Sequence, residues 1–319
     1  MTSGALPGIE EVHDAVARVR PHLHRTPLVS SRTLSALTGL DIWLKCENLQ
    51  KTGSFKPRGG LNRLATLTAE QRRAGIITIS AGNNAQGMAF AARIAGVHAV
   101  LVMPETAAAS KVAATRGYGA EVVLHGDVNA AFERLEQLHQ ERGLTLIHPF
   151  DDPMLIAGHG TLGLEIREQL DDIDAVVCGV GGGGLSGGLG VALSDSGIAL
   201  HGVEPTGAAT MTAALGAGEP VRLDEVDTIA DGLAPPFVGR LNLAAAQRFV
   251  SGVHLVTDDE IRAAMRLLIE RTKYLVEPSG AAPLAALLTG RITLAPASRV
   301  VVVLSGGNVD LHRLADFLD

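Results

Sequence analysis

Short apolar runs alternate along the chain with longer stretches in which apolar positions recur every three to four residues. The runs are IWLKC (42–46), IITIS (76–80), AVLVM (99–103), AEVVLH (120–125), LTLIH (144–148), DAVVCGV (174–180), ALHGV (199–203) and RVVVVLS (299–305). Each is short and apolar on both faces, the pattern of a strand covered by helices on both sides. Helical stretches fill 84–95, 106–117, 128–141, 153–170, 185–197 and 258–273. This alternation predicts an α/β fold with mainly parallel sheets. Residues 75–148 contain four strand signals and three helical ones and are expected to form a small unit of their own. Residues 1–74 and 149–319 are then expected to build a second, larger sheet from both chain ends. Neither a low-complexity linker nor an internal repeat is visible. The last stretch, DLHRLADFLD, predicts a short helix and no C-terminal effector domain.

Composition narrows the picture. With aromatics at 3% of 319 residues, the core must be aliphatic. The 27 basic side chains are dispersed and outweighed by 34 acidic ones, so a nucleic-acid-tracking face is not expected. No apolar stretch is long enough to span a membrane, and MTSGALPGIEEVHDAVARV lacks the basic-then-apolar order of a secretory signal. A cytoplasmic protein is expected, with Cys46 and Cys178 as buried reduced thiols.

Four segments carry chemistry. VGGGGLSGG (180–188) follows a strand and precedes a helical run. Consecutive glycines there let backbone amides converge on an anion, with a helix N-terminus adding positive charge. It lacks the Gly-Lys-Ser/Thr ending of a nucleotide P-loop and does not fit a dinucleotide fingerprint. In KTGSFKPRGG (51–60), Lys56 sits where a turn gives way to a helix. A lysine amine, with a pKa near ~10.4, needs burial or covalent capture to act at neutral pH. In SAGNNAQG (80–87) a strand ends at Ser80 and a helix begins near Asn84, which leaves outward-pointing amides suited to a carboxylate. LSGGN (304–308) places a hydroxyl and two glycines at a strand end, where a ring can approach. Each segment alone also reads as an ordinary turn, cap or surface lysine.

Together their order and flanking strands resemble the fold type II pyridoxal-phosphate enzymes, in particular the serine/threonine dehydratase and serine racemase branch. The resemblance runs through RTPL (25–28), KCENLQKTGSFKPRG (45–59), SAGNNAQG (80–87), PFDDPMLIAGHGTLGLEI (149–166), GVGGGG (179–184), GVEP (202–205), TIADGLA (228–234), VEPSGAA (276–282) and LSGGN (304–308). It implies two domains, the small one closing over the substrate, and a homodimer. Lys56 would hold the cofactor and remove the Cα proton. Phe55 would pack on the ring and Asn83 would bond its hydroxyl. Gly181, Gly182, Gly183 and Gly184 would cradle the phosphate, and Ser305 would face the ring nitrogen. Ser80, Ala81, Gly82 and Asn84 would seat the substrate carboxylate. Glu277 and Asp231 match positions near the cofactor. The implied reaction removes water from a small L-3-hydroxy amino acid, such as L-threonine or L-serine, giving a 2-oxo acid and ammonia.

Three departures qualify this. Ala81 replaces the serine that delivers a proton in the racemase, so dehydration with little or no racemisation is expected. In the family's divalent-cation site, Glu204 and Ala208 match but Thr210 replaces an aspartate, so Mg or Ca binding is expected to be weak or absent. Asn84 and His159 stand where the family has histidine and glutamine. The two are expected to lie near each other and to have exchanged hydrogen-bonding roles across the cleft, the alternatives being independent drift or an imidazole that tunes substrate choice. His125, His148, His201 and His254 read as packed or capped, and Arg58 as a solvated structural residue, with interaction with nearby acidic groups as the alternative. Rival readings are a racemase, a dehydratase of a bulkier substrate such as hydroxyaspartate or phenylserine, a β-replacement synthase, and a non-catalytic cofactor-binding module.

Overall fold

The computed structural model describes residues 4–318. Strands β1 (Leu28–Ser30), β2 (Asp41–Lys45), β3 (Ile76–Ile79), β4 (Ala99–Met103), β5 (Glu121–Leu124), β6 (Thr145–Leu146), β7 (Ala175–Gly179), β8 (Ala199–Pro205), β9 (Gly252–Val256) and β10 (Arg299–Val303) form two sheets. The larger sheet has the order β1-β2-β10-β7-β8-β9, and the smaller β5-β4-β3-β6. All pairs are parallel except β1 with β2. The protein is therefore an α/β fold with two helix-covered parallel sheets.

The central strands are buried along their whole length, as in AVLVM of β4 and AVVCG of β7. Branched side chains pack well on such doubly covered surfaces. The sequence pattern missed β1 and β9. Both are edge strands, with mostly half-buried residues and no full apolar run. Of LTLIH only Thr145–Leu146 pairs as a strand. Leu61 and Leu64, which precede the smaller sheet in the chain, and Leu155, which follows it, share a core with Ile76, Leu101 and Met103.

The C-terminal strand β10 lies between β2 and β7, in register Val301↔Trp43 and Val301↔Val176. Three segments far apart in sequence therefore leave the same edge of the sheet together. They are residues 46–56 after β2, 304–308 after β10 and 180–184 after β7. Ligands of open parallel sheets bind at such carboxyl ends.

Candidate active site

The helix Pro57–Ala65 begins directly after Lys56, because Pro57 has a preset φ and no N–H to leave unpaired. The chain before it is laced to the segment after β10. Asn48 N donates to Leu304 O at 2.9 Å, Phe55 N to Ser305 O at 3.1 Å and Gly307 N to Gly53 O at 2.9 Å. These bonds bring Lys56 and Ser305 to one cleft of about 480 Å³. Phe55, Ser80, Ala81, Gly82, Asn83, Asn84 and Gly181 to Gly184 also line it.

The glycine turn opens the helix Gly184–Leu193. A Cβ on Gly182 would lie 2.4 Å from the Phe150 ring, and Gly183 has φ +89°. Only glycine satisfies both positions cheaply. Asn242, fully buried, pins the turn by donating to Gly182 O at 2.8 Å and Phe150 O at 2.9 Å. It carries no motif signature, and sequence reasoning did not find it.

The Lys56 amine lies 5.0 Å from the centroid of the Phe55 ring. Enclosure in the cleft holds the amine down at about 8, against the opposing pull of the Glu277 carboxylate. Burial pushes Glu277 up to about 7, while Lys111 and the bond from Asn83 favour its charged form. Asn83 is oriented from both ends. Its Nδ2 donates to Glu277 Oε1 at 2.6 Å, and its Oδ1 accepts from Asn308 Nδ2 at 2.8 Å. Asn308 Nδ2 also donates to Thr52 O at 2.7 Å. One Asn83 N–H remains for a ligand in the cleft. These groups fit a phosphorylated aldehyde: an amine near neutrality, a glycine turn whose Cβ positions are blocked by neighbouring protein atoms, and an amide and a hydroxyl lining the same cleft.

The exchange expected of Asn84 and His159 is not seen as a direct bond. Asn84 Nδ2 lacks a hydrogen-bond partner, and His159 interacts with the Gly184 backbone rather than with Asn84. His159 is wedged below the cleft, edge-on to Phe55 at 4.9 Å and against Gly59. Burial, helped by the Lys56 charge, lowers it to about 3, so it is neutral at working pH. His148 is a cap: its Nδ1 accepts from Asp151 N at 2.8 Å.

The expectation for Arg58 requires correction. It is 2% exposed and donates to Glu47 at 2.8 Å twice and to Glu165 at 3.1 Å twice. Lys45 completes the cluster, bonding Glu165 at 2.6 Å. The sequence allowed acidic partners for Arg58 but could not say which carboxylates arrive from two other elements.

The residues matched to a cation site do not fit one. Glu204 is fully buried and both of its oxygens are taken, by Met211 N at 2.6 Å and by Thr212 N and Oγ1 at 2.9 and 2.8 Å. The Thr210 hydroxyl donates to Pro235 O at 3.0 Å. Ala208 is buried beside them. Glu204 thus caps the helix Thr210–Ala217. Among the described residues, no group of three or more His, Cys, Asp or Glu is placed to hold a metal. Nor is any of their helices long and apolar enough to cross a membrane.

Comparison with known proteins agrees with this geometry. The family model described as "Pyridoxal-phosphate dependent enzyme" matches residues 19–306. L-threonine ammonia-lyase of Thermotoga maritima is 40% identical over 309 residues, 96% of this chain and 77% of that one. The structure of maize serine racemase superposes with a TM-score of 0.93 at 36% identity, covering 98% of this chain and 97% of that one. The serine racemase of Dictyostelium discoideum superposes with a TM-score of 0.89 at 39% identity, covering 95% and 99%. A solved threonine deaminase superposes with a TM-score of 0.88 at 41% identity, covering 96% and 99%.

Proposed function

The chain belongs to the pyridoxal-phosphate-dependent enzymes, and from that premise we propose that it is an ammonia-lyase. Its substrate is a small L-3-hydroxy amino acid, L-threonine or L-serine, converted to a 2-oxo acid and ammonia. One observation carries the reading: the Lys56 amine, the Asn83 amide, the Ser305 hydroxyl and the tetraglycine turn line one cleft. The threonine ammonia-lyase and threonine deaminase among its relatives support the choice of substrate.

When bound, pyridoxal phosphate supplies the electron sink for charge developing at the substrate Cα. Gly181 to Gly184 would hold its phosphate with backbone amides, and Asn83, fixed by Glu277 and Asn308, would donate to its ring hydroxyl. Ser305, which lines the same cleft, would face the ring nitrogen. A hydroxyl would not hold that nitrogen protonated as a carboxylate would, so the ring would supply a weaker electron sink. The Lys56 amine, near 8, takes the Cα proton at little cost at neutral pH. The turn Ser80–Asn84 receives the substrate carboxylate, and the 75–148 unit closes over it. Ala81 has no proton to deliver to the opposite face, so racemisation does not accompany elimination.

The reading assigns no divalent cation to Glu204, whose oxygens accept from the N-terminus of the helix Thr210–Ala217. The free buried thiols Cys46 and Cys178 support a cytoplasmic home. A net charge of −7 argues against a nucleic-acid partner. The homodimer follows from the family resemblance and is checked by light scattering.

The test is 2-oxo acid release from a panel of 3-hydroxy amino acids. L-threonine and L-serine are expected to be turned over, and Lys56→Ala to abolish turnover. Borohydride reduction is expected to add the cofactor's mass to the peptide containing Lys56. A protein that takes up no cofactor at Lys56, or binds it and releases no 2-oxo acid, refutes the reading.

A further inference from the structure

Lys111 lies in the helix Ala109–Gly117, outside every motif that the sequence singled out. Its ammonium lines the cleft, with the side chain 18% exposed, and stands 3.4 Å from Asp231 Oδ2. The pair joins the helix between β4 and β5 of the smaller sheet to the Asp231–Leu233 turn, which follows β8 of the larger sheet. A Cβ on Gly82 would lie 4.0 Å from Nζ, so the ammonium overlooks the turn Ser80–Asn84. Asn84 in that turn is 8% exposed, lines the same cleft and has no partner for its Nδ2. The N-terminus of the helix Asn83–Ala95 adds partial positive charge.

An ammonium, an orphaned amide and a helix N-terminus thus share one corner of the cleft. Leaving a buried amide N–H unpaired is costly, which argues for a ligand that pairs it. A carboxylate satisfies all three, with an oxygen for the amides and charge for the ammonium. Asp231 already offers the ammonium a carboxylate. Its side chain is 61% exposed, so water can solvate it once the pair opens.

Resting on the reading that this cleft binds an amino acid, we propose that Lys111 is the specificity-determining cation for the substrate α-carboxylate and that Asp231 is its resting counter-ion. Substrate binding exchanges one carboxylate for the other at the same ammonium. The cleft is therefore held by an ion pair when empty, and a neutral analogue gives Lys111 no reason to leave Asp231. Asn84 supplies a neutral donor to the same oxygens.

The experiment titrates cofactor-loaded protein with L-serine and with L-serinamide, which lacks the carboxylate, and follows the cofactor's visible absorbance. The absorbance before titration reports on the cofactor reading by itself, so a protein without that band sinks the lyase assignment and not this inference. Lys111→Met is expected to weaken L-serine binding by about tenfold or more while L-serinamide stays within about twofold. Lys111→Arg is expected to restore most of the loss. Asp231→Asn, which leaves Lys111 in place, is expected to tighten L-serine binding, because the competing carboxylate is gone. Equal losses for both compounds in Lys111→Met, or weaker L-serine binding in Asp231→Asn, overturn the inference.

Discussion

Arg58→Met removes the hub of a buried charge cluster two residues beyond Lys56. Glu165 would keep Lys45 at 2.6 Å and Thr26 N at 3.1 Å. Glu47 would keep only the Thr26 hydroxyl at 2.6 Å and is fully buried. The loss is therefore set by Glu47, a carboxylate stranded away from water. Breaking such a pair costs about 3–5 kcal/mol, against a total stability of ~5–15 kcal/mol. The deficit should depend on pH. Burial pushes Glu47 up, but the Arg58 charge and hydrogen bonds, with Lys45, hold it below the usual carboxylate range. Its ionised form thus stabilises the wild type above the unfolded carboxylate pKa of ~4.3, and this is lost as pH falls through the folded value. Without Arg58, burial dominates and Glu47 binds a proton more tightly than in the unfolded chain. The variant then loses stability as pH rises, so its deficit is greatest near neutrality and shrinks toward acid. Urea unfolding followed by circular dichroism at both ends of this range measures it. Adding Glu47→Gln should recover about half of the loss or more, because the stranded charge is gone. A deficit under ~1 kcal/mol, one independent of pH, or no recovery in the double variant refutes the argument.

Further predictions concern the cleft. Attachment of pyridoxal phosphate to cofactor-free protein needs a neutral Lys56 amine, so its rate should rise with pH and level off above about 8. Glu277→Gln should move that midpoint lower, since the Glu277 charge is what holds it up; a stopped-flow midpoint near the free-lysine value of ~10.4 contradicts this. Gly182→Ala forces the Phe150 ring aside, because the new Cβ lies 2.4 Å from it. Cofactor affinity should fall by about 10- to 100-fold with the circular dichroism unchanged, measured by equilibrium dialysis. A chelator should leave 2-oxo acid release unaltered, and stimulation by added Mg would show that Glu204 leaves its cap. Chiral chromatography should find no D-serine made from L-serine by the wild type, whereas Ala81→Ser should introduce some.

Much of the fold was legible because its signals are local. Doubly covered strands such as β4, β7 and β10 read as continuous apolar runs. The edge strands β1 and β9 did not, since half-buried residues lack that contrast. Lys56, the glycine turn and Ser305 were singled out as turn and helix-start chemistry at strand ends, and Asn83 through family resemblance; the structure lines one cleft with all of them.

The sequence by itself determined the α/β alternation, the glycine turn and the lysine placed one residue before a proline-started helix. Each depends on backbone preferences within a few positions. Tertiary structure decided which distant groups meet. Pairing of β10 with β2 sets Ser305 beside Phe55 and Lys56, and brings Asn308 to Asn83 across 225 positions. The same folding carries Glu165 to Arg58 across 107 positions and Asp231 to Lys111 across 120. A charge has no local periodicity that names its partner. Whether Arg58 is solvated or buried, and whether Glu204 holds a metal or a helix, follows only from what the packed elements place within hydrogen-bonding distance.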